Sequence, residues 1–272
     1  MARLSMNETT TFRWSLEEDL RAYAAAGIPA VGIWRQKLSD CGLARAVELL
    51  APSGLAVSSL FWAGGFTGSE GRSYRESIED GAEALRAAAT LKAGCLVAYS
   101  GTRAGHTSNH ARRLVQGALL ELAPLAEELG VTLAIEPMHP GCAAECTFLT
   151  SLDETLALLA AVGHPRVKMV FDTYHLGHDP AVVERIARIA PQVALVQLGD
   201  ARQPPRGEQS RCLLGQGVIP LRPIVAAFQA AGYDGYFDVE LLGEEFEAAD
   251  YSSLLVHARQ AFAELTGAAE AG

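Results

Sequence analysis

The chain has 272 residues, 49% of them hydrophobic and 20% charged, which suits one α/β barrel with a large core. Its formal net charge of −10 argues against nucleic-acid and anionic-membrane partners, and it offers no general attraction to a highly anionic substrate. The five cysteines (Cys41, Cys95, Cys142, Cys146 and Cys212) are odd in number and fit no disulfide framework. With no apolar h-region in "MARLSMNETTTF" and no apolar run long enough for a bilayer, a cytoplasmic location is expected.

Short apolar runs alternate with longer segments of helical period. A strand is predicted at Arg3–Asn7, then a helix over Ser15–Ala26, whose start "SLEE" has the Ser and Glu of a capping box. A strand at Ala30–Trp34 precedes a helix at Leu43–Leu50. The third strand, Ala56–Trp62, runs into the glycine-rich "FWAGGFTG" and then a helix at Tyr74–Leu91. Cys95–Ser100 is followed by Ser108–Leu129, and Thr132–Glu136 by Leu152–Val162 with a second box, "SLDE". Lys168–Asp172 pairs with Pro180–Ile189, Ala194–Leu198 with Leu221–Ala231, and Tyr236–Leu241 with Tyr251–Leu265. Gly27, Gly130, Gly163 and Gly232 each follow an apolar stripe and mark helix ends.

Eight strands alternating with eight helices make either a closed barrel or a doubly wound sheet. No G-x-G-x-x-G follows the first strand, and polar residues of the last four strands collect at their C-terminal ends. The expectation is one (β/α)8 TIM barrel over residues 1–272.

Those four strand ends share a phase. Strand side chains alternate between faces. Leu133 and Ile135, Met169 and Phe171, Val196 and Leu198, and Phe237 and Val239 then face the outer helices. Glu136, Asp172, Gln197 and Glu240 fall on the opposite, inward face at the upper rim, where barrel enzymes place their sites. Three carboxylates converging there repel one another and lose solvation. A divalent cation relieves that conflict; all-oxygen ligands suit Mg2+ or Mn2+, and the Gln197 carbonyl is an acceptable fourth oxygen.

The motifs "IEP", "FDTYH" and "DVEL" at the ends of strands five, six and eight resemble the xylose-isomerase-like barrel superfamily. Its members include sugar epimerases of the D-tagatose 3-epimerase type, inosose isomerases and dehydratases, and 3-dehydroshikimate dehydratases. The resemblance implies Mn2+, Mg2+ or Co2+ held by Glu136, Asp172, Gln197 and Glu240, no organic cofactor, and substrate held by His175. It implies an epimerase or isomerase of a small ketose or keto-cyclitol, with Glu136 and Glu240 moving the α-proton to a metal-stabilised enediolate and back. The alternative on the same site is a dehydratase. Gln197 stands where the epimerases usually have His, and it looks more like the dehydroshikimate dehydratase branch.

Smaller expectations attach to single residues. Arg202, in "GDARQPPRGE", resembles the family arginine that contacts substrate oxygens; Asp200 beside it orients a neighbour or caps a turn. Trp62 and Phe66 could wall a sugar pocket, and His139 could touch substrate. "LLGQGVIP", with Arg211 and Arg222 nearby, carries a weak phosphate signal. Cys142 and Cys146 form one C-x3-C pair without a partner pair, weak grounds for zinc. A DNA-repair endonuclease on a related barrel needs more histidine ligands and a basic face than this chain has. The expected partner is a small sugar or cyclitol, and such barrels often assemble as homo-oligomers.

Overall fold

Eight parallel strands close in chain order in the computed structural model, which describes residues 2–69, 71–142 and 146–267. They are β1 Arg3–Asn7, β2 Ala30–Trp34, β3 Ala56–Gly64, β4 Cys95–Tyr99, β5 Thr132–Glu136, β6 Val167–Asp172, β7 Val193–Leu198 and β8 Tyr236–Val239. The last strand meets the first from Arg3↔Tyr236 to Met6↔Val239, so no sheet edge is left open. The architecture is the expected (β/α)8 TIM barrel.

Helices α1 Leu16–Ala25, α2 Arg35–Cys41, α3 Leu43–Ser53, α4 Tyr74–Thr90, α5 Ser108–Leu129 and α6 Leu152–Val162 lie in the first half of the ring. α7 Thr173–Leu176, α8 Val182–Ile189, α9 Leu221–Ala230 and α10 Tyr251–Thr266 complete it. Ser15 and Glu18 form the full reciprocal capping box on α1. Gly130 ends α5 with φ at 71°, a left-handed conformation that glycine adopts without a Cβ penalty.

Two helices were not predicted. α2 starts immediately after Trp34 with no side-chain cap, so no start signal marks it. α7 is a single turn, initiated by Asp172, whose Oδ1 accepts from Tyr174 N at 2.8 Å. β3 also runs past the expected Trp62 to Gly64, with a register irregularity between Phe61 and Ala63.

The period-two reading holds in space. Phe61, Cys95, Val97, Ala134, Val170 and Leu195 fill the barrel interior below the rim. Leu133, Ile135, Met169, Phe171, Val196, Leu198, Phe237 and Val239 are fully buried between sheet and helices. Phe171, for example, meets Phe228 of α9 edge-on at 5.0 Å. Burying one such ring stabilises the fold by roughly 1.5–3 kcal/mol. No helix of the described residues is long and apolar enough to cross a membrane.

A candidate active site at the C-terminal rim

β5 and β6 end at Glu136 and Asp172, Gln197 is the penultimate residue of β7, and Glu240 lies one residue past β8, its N–H still donating to Leu198 O at 3.0 Å. All four side chains are buried, and Asp172 is fully so. The strand register that buries the apolar outer face therefore aims these four groups at one place.

A fifth group joins them. Arg211, from the loop between β7 and α9, inserts its guanidinium among the acids. Nη2 donates to Asp172 Oδ2 at 2.9 Å and lies 3.6 Å from Glu240 Oε2, while Nη1 donates to Glu208 Oε2 at 2.9 Å. The cation also sits 4.1 Å above the Tyr174 ring. Burial of a charge this deep requires such pairing. Yet one arginine faces four acids: Glu136, Asp172, Glu208 and Glu240.

The titration of these acids reflects the deficit. Burial, reinforced by the charges of Asp172, Glu240 and Glu208, raises Glu136 well above the ordinary glutamate value. Burial lifts Asp172 to about 7 in spite of Arg211. Glu240 is raised for the same first reason, with Arg211 and the Thr9 hydroxyl opposing. Burial pushes Glu208 upward too, yet Glu208 is held below its ordinary value, with the charge and hydrogen bond of Arg211 opposing burial.

His175 follows in α7. Its Nδ1 accepts the His139 backbone N–H at 3.3 Å, which leaves the proton of the neutral ring on Nε2. Burial holds the ring pKa down to about 3, so the neutral form prevails. Nε2 lies 3.5 Å from Asp172, 3.6 Å from Glu208 and 3.8 Å from Glu136, beyond a good hydrogen bond to any of them. Among the described residues it is a buried donor without a partner, and Gln197 Oε1 is a buried acceptor without one. Gln197 Nε2 donates to Glu240 Oε2 at 3.0 Å, and Thr9 Oγ1 reaches Glu240 Oε1 at 3.2 Å, so Glu240 is held through both oxygens.

The donor set fits a divalent cation. Ligand atoms of Glu136, Asp172 and His175 lie within 4.8 Å of one another, and the orphaned Gln197 carbonyl adds a neutral oxygen. His175 is the poorer ligand of the group because its Nε2 carries the proton. Glu240 stands outside that close trio, and the guanidinium of Arg211 bridges it to Asp172.

A cleft of about 510 Å3 opens above this group. Glu136, Gln197, Glu208, Arg211 and Glu240 line one side; Trp34, Phe61, Trp62, Val97 and Met138 line much of the rest. Trp62 is thus at the cleft as expected. Phe66 is fully buried core instead. Arg202 is not brought to the site: it is exposed and pairs with Glu245, Nη2 to Oε1 at 3.1 Å. His139 turns its ring into another hollow, which His175 and His178 also line, and donates its backbone N–H to His175.

The phosphate signal of the G-x-G also dissolves. Asp200 carboxylate oxygens accept from Gly215 N at 2.9 Å, Gly217 N at 3.0 Å and Ile219 N at 3.3 Å, so the loop's amides are already occupied. Asp200 is the turn cap that the sequence allowed for. Cys142 stands near His175 and Glu208. The three residues between Cys142 and Cys146 lie outside the described ones.

Glu208 escapes the sequence reading, and Arg211 enters it only as a neighbour of the weak phosphate signal. Strand phase finds residues on strands and says nothing of a loop. The physical signal was the charge imbalance itself: several buried acids demand a buried cation, and the loop after β7 holds Arg202, Arg206 and Arg211 as candidates.

A model of the xylose isomerase-like TIM barrel family matches residues 20–262. The chain is 25% identical over 259 residues to the inosose isomerase of Bacillus velezensis, covering 90% of each. It is 28% identical over 270 residues to a protein named as a putative hydroxypyruvate isomerase of Streptomyces coelicolor, covering 88% of this chain and 90% of that one. The crystal structure of the IOLI protein with a bound zinc atom superposes with a TM-score of 0.84 at 21% identity, covering 97% of this chain and 98% of the other.

Proposed function

The chain belongs to the xylose isomerase-like TIM barrel family, and from that premise we propose that it is a metal-dependent isomerase or epimerase of a small, neutral ketose or keto-cyclitol. The observation that carries this reading is the gathering of Glu136, Asp172, Gln197 and Glu240 from four consecutive strands at one rim, with Glu136, Gln197 and Glu240 lining the cleft and Asp172 buried beside them. The buried Gln197 Oε1 and His175 Nε2, each without a partner among the described residues, support it. A divalent cation held by Glu136, Asp172, Gln197 and Glu240, Mn2+ or Mg2+ by oxygen preference, would supply Lewis-acid polarisation of the substrate carbonyl.

The chain's own groups do the rest. One of Glu136 and Glu240 removes the proton from the α-carbon, and the other returns a proton from the other side. His175 Nε2–H donates to a substrate oxygen and orients it. Phe61, Trp62 and Val97 keep water away from the reacting carbon. Arg211 is the one basic residue among the described lining of the cleft, and it is spent on Asp172, Glu208 and Glu240. An uncharged substrate suits that wall better than a phosphorylated one.

A dehydratase is the second reading, favoured by Gln197 at the seventh strand. A panel of free ketoses, inososes and dehydroshikimate with Mn2+ separates the two. A shifted sugar or cyclitol signal by NMR identifies an isomerase or epimerase, and a new conjugated-enone absorbance identifies a dehydratase. No change with any member of the panel contradicts both.

A further inference from the structure

A second hollow adjoins the catalytic cleft. It has about 540 Å3, close to the 510 Å3 of the cleft, and the two share Phe12 and Trp34 as walls. It lies between the loop that follows β1 and the helices α2 and α3 that follow β2. Phe12 is 38% exposed there, one of few large apolar side chains left open to solvent on the described surface.

The lining has a consistent chemistry. Two aromatic rings stand on the cleft side, and Gln36, Asp40 and Ser15, all exposed, offer donors and acceptors on the other. The cations of this hollow are engaged. Arg45 pairs with Glu17 at 3.6 Å and Glu48 at 3.2 Å; Arg13 donates to Ala249 O at 2.7 Å and lies over the Tyr251 ring. Lys37 is buried against Asp19. An anion finds no uncommitted partner. What fits is a neutral, polyhydroxylated ring with a C–H face, stacking on an aromatic and hydrogen-bonding through its edge.

We propose that this hollow is a second sugar subsite, and that the substrate is a ketose carrying a glycosyl group, with the ketone in the cleft and the glycosyl ring against Phe12 and Trp34. The proposal rests on the ketose reading of the cleft. It gives the exposed Phe12 ring a contact surface.

The test is calorimetric titration of the full-length, Mg2+-loaded protein with fructose and with lactulose, turanose and isomaltulose. These three ketodisaccharides carry their second sugar at different positions of a fructose unit. At least one should bind about tenfold tighter than fructose, the worth of one stacked ring and a hydrogen bond or two. The double variant Gln36→Ala, Asp40→Ala should lose that gain while its fructose affinity stays unchanged, because both residues lie outside the cleft. Fructose binding with no ketodisaccharide bound more tightly overturns the subsite alone. A gain that survives the double variant overturns it as well, by placing the second sugar elsewhere. No binding by any of the four sugars overturns the ketose reading together with the subsite.

Discussion

Arg211 sets the energetics of the rim at the level of single residues. Its guanidinium is the only described cation paired with Asp172 and Glu240, and all three groups are buried. Removing one partner of such a group costs about 3–5 kcal/mol, because the remaining charges stay desolvated. Arg211→Met should therefore lower the melting temperature of the metal-free protein sharply at pH 8. Mn2+ or Mg2+ should restore much of the loss, since a divalent ion can replace the missing cation. A variant that melts low with and without metal would mean that the acids gather around Arg211 for structural reasons only. This residue also marks where sequence reasoning stops. Glu136, Asp172, Gln197 and Glu240 were legible because strand alternation predicts their direction from the apolar residues beside them. Arg211 lies in an irregular loop whose path depends on Asp200 and the glycines, and no periodicity encodes that path. Arg202 was the better candidate by position, yet it finds Glu245 at the surface.

At the scale of elements, one carboxylate gathers several backbone amides of the loop between β7 and α9. Asp200 accepts from the backbone of Ala201, Gly215, Gly217 and Ile219, and its own carbonyl accepts from Cys212 N at 2.9 Å, next to Arg211. Asp200→Ala leaves those amides without an acceptor, at about 1–3 kcal/mol for each one that stays buried. The expected outcome is faster hydrogen exchange at Gly215 and Gly217 and a lower melting temperature, with the barrel intact by circular dichroism. Gly217→Ala should act in the same direction, since a Cβ there would lie 2.0 Å from Asp200 Oδ1. Unchanged exchange in both would show that the loop is held from elsewhere. The strands and long helices were legible for the opposite reason: each has a strong period and marked ends, such as Ser15 and Glu18 on α1 or Gly130 after α5. α2 and α7 were missed because they begin directly at strand ends, where Trp34 and Asp172 read as the last residues of strands.

Across the whole molecule, buried acids make the metal-free fold sensitive to alkali. Burial raises Asp172 to about 7, and it raises Asp238, inside the barrel with Asn7 donating to it at 3.0 Å, to about 7 as well. Both values lie above those of the unfolded chain, so the folded state holds more protons between the two. Their contribution is full below the unfolded value of about 4 and is lost as pH rises through about 7. Chemical denaturation of the metal-free protein should accordingly show stability falling from pH 5 to pH 8. A divalent ion at the rim should remove the share of Asp172 and leave that of Asp238. Stability that rises over this range without metal would contradict these assignments.

The two-carboxylate chemistry proposed for the rim is tested most directly by deuterium exchange at the α-carbon of a ketose or inosose, followed by NMR in D2O with Mg2+ present. The wild-type protein should exchange that proton even without net turnover. Glu136→Gln and Glu240→Gln should each slow exchange by about 10²–10⁴-fold, the usual range for loss of a general base, while lowering metal affinity less. For an epimerase, each variant should retain exchange on one epimer only. Exchange at near wild-type rates in both variants, on a substrate that the wild-type protein turns over, would contradict the account.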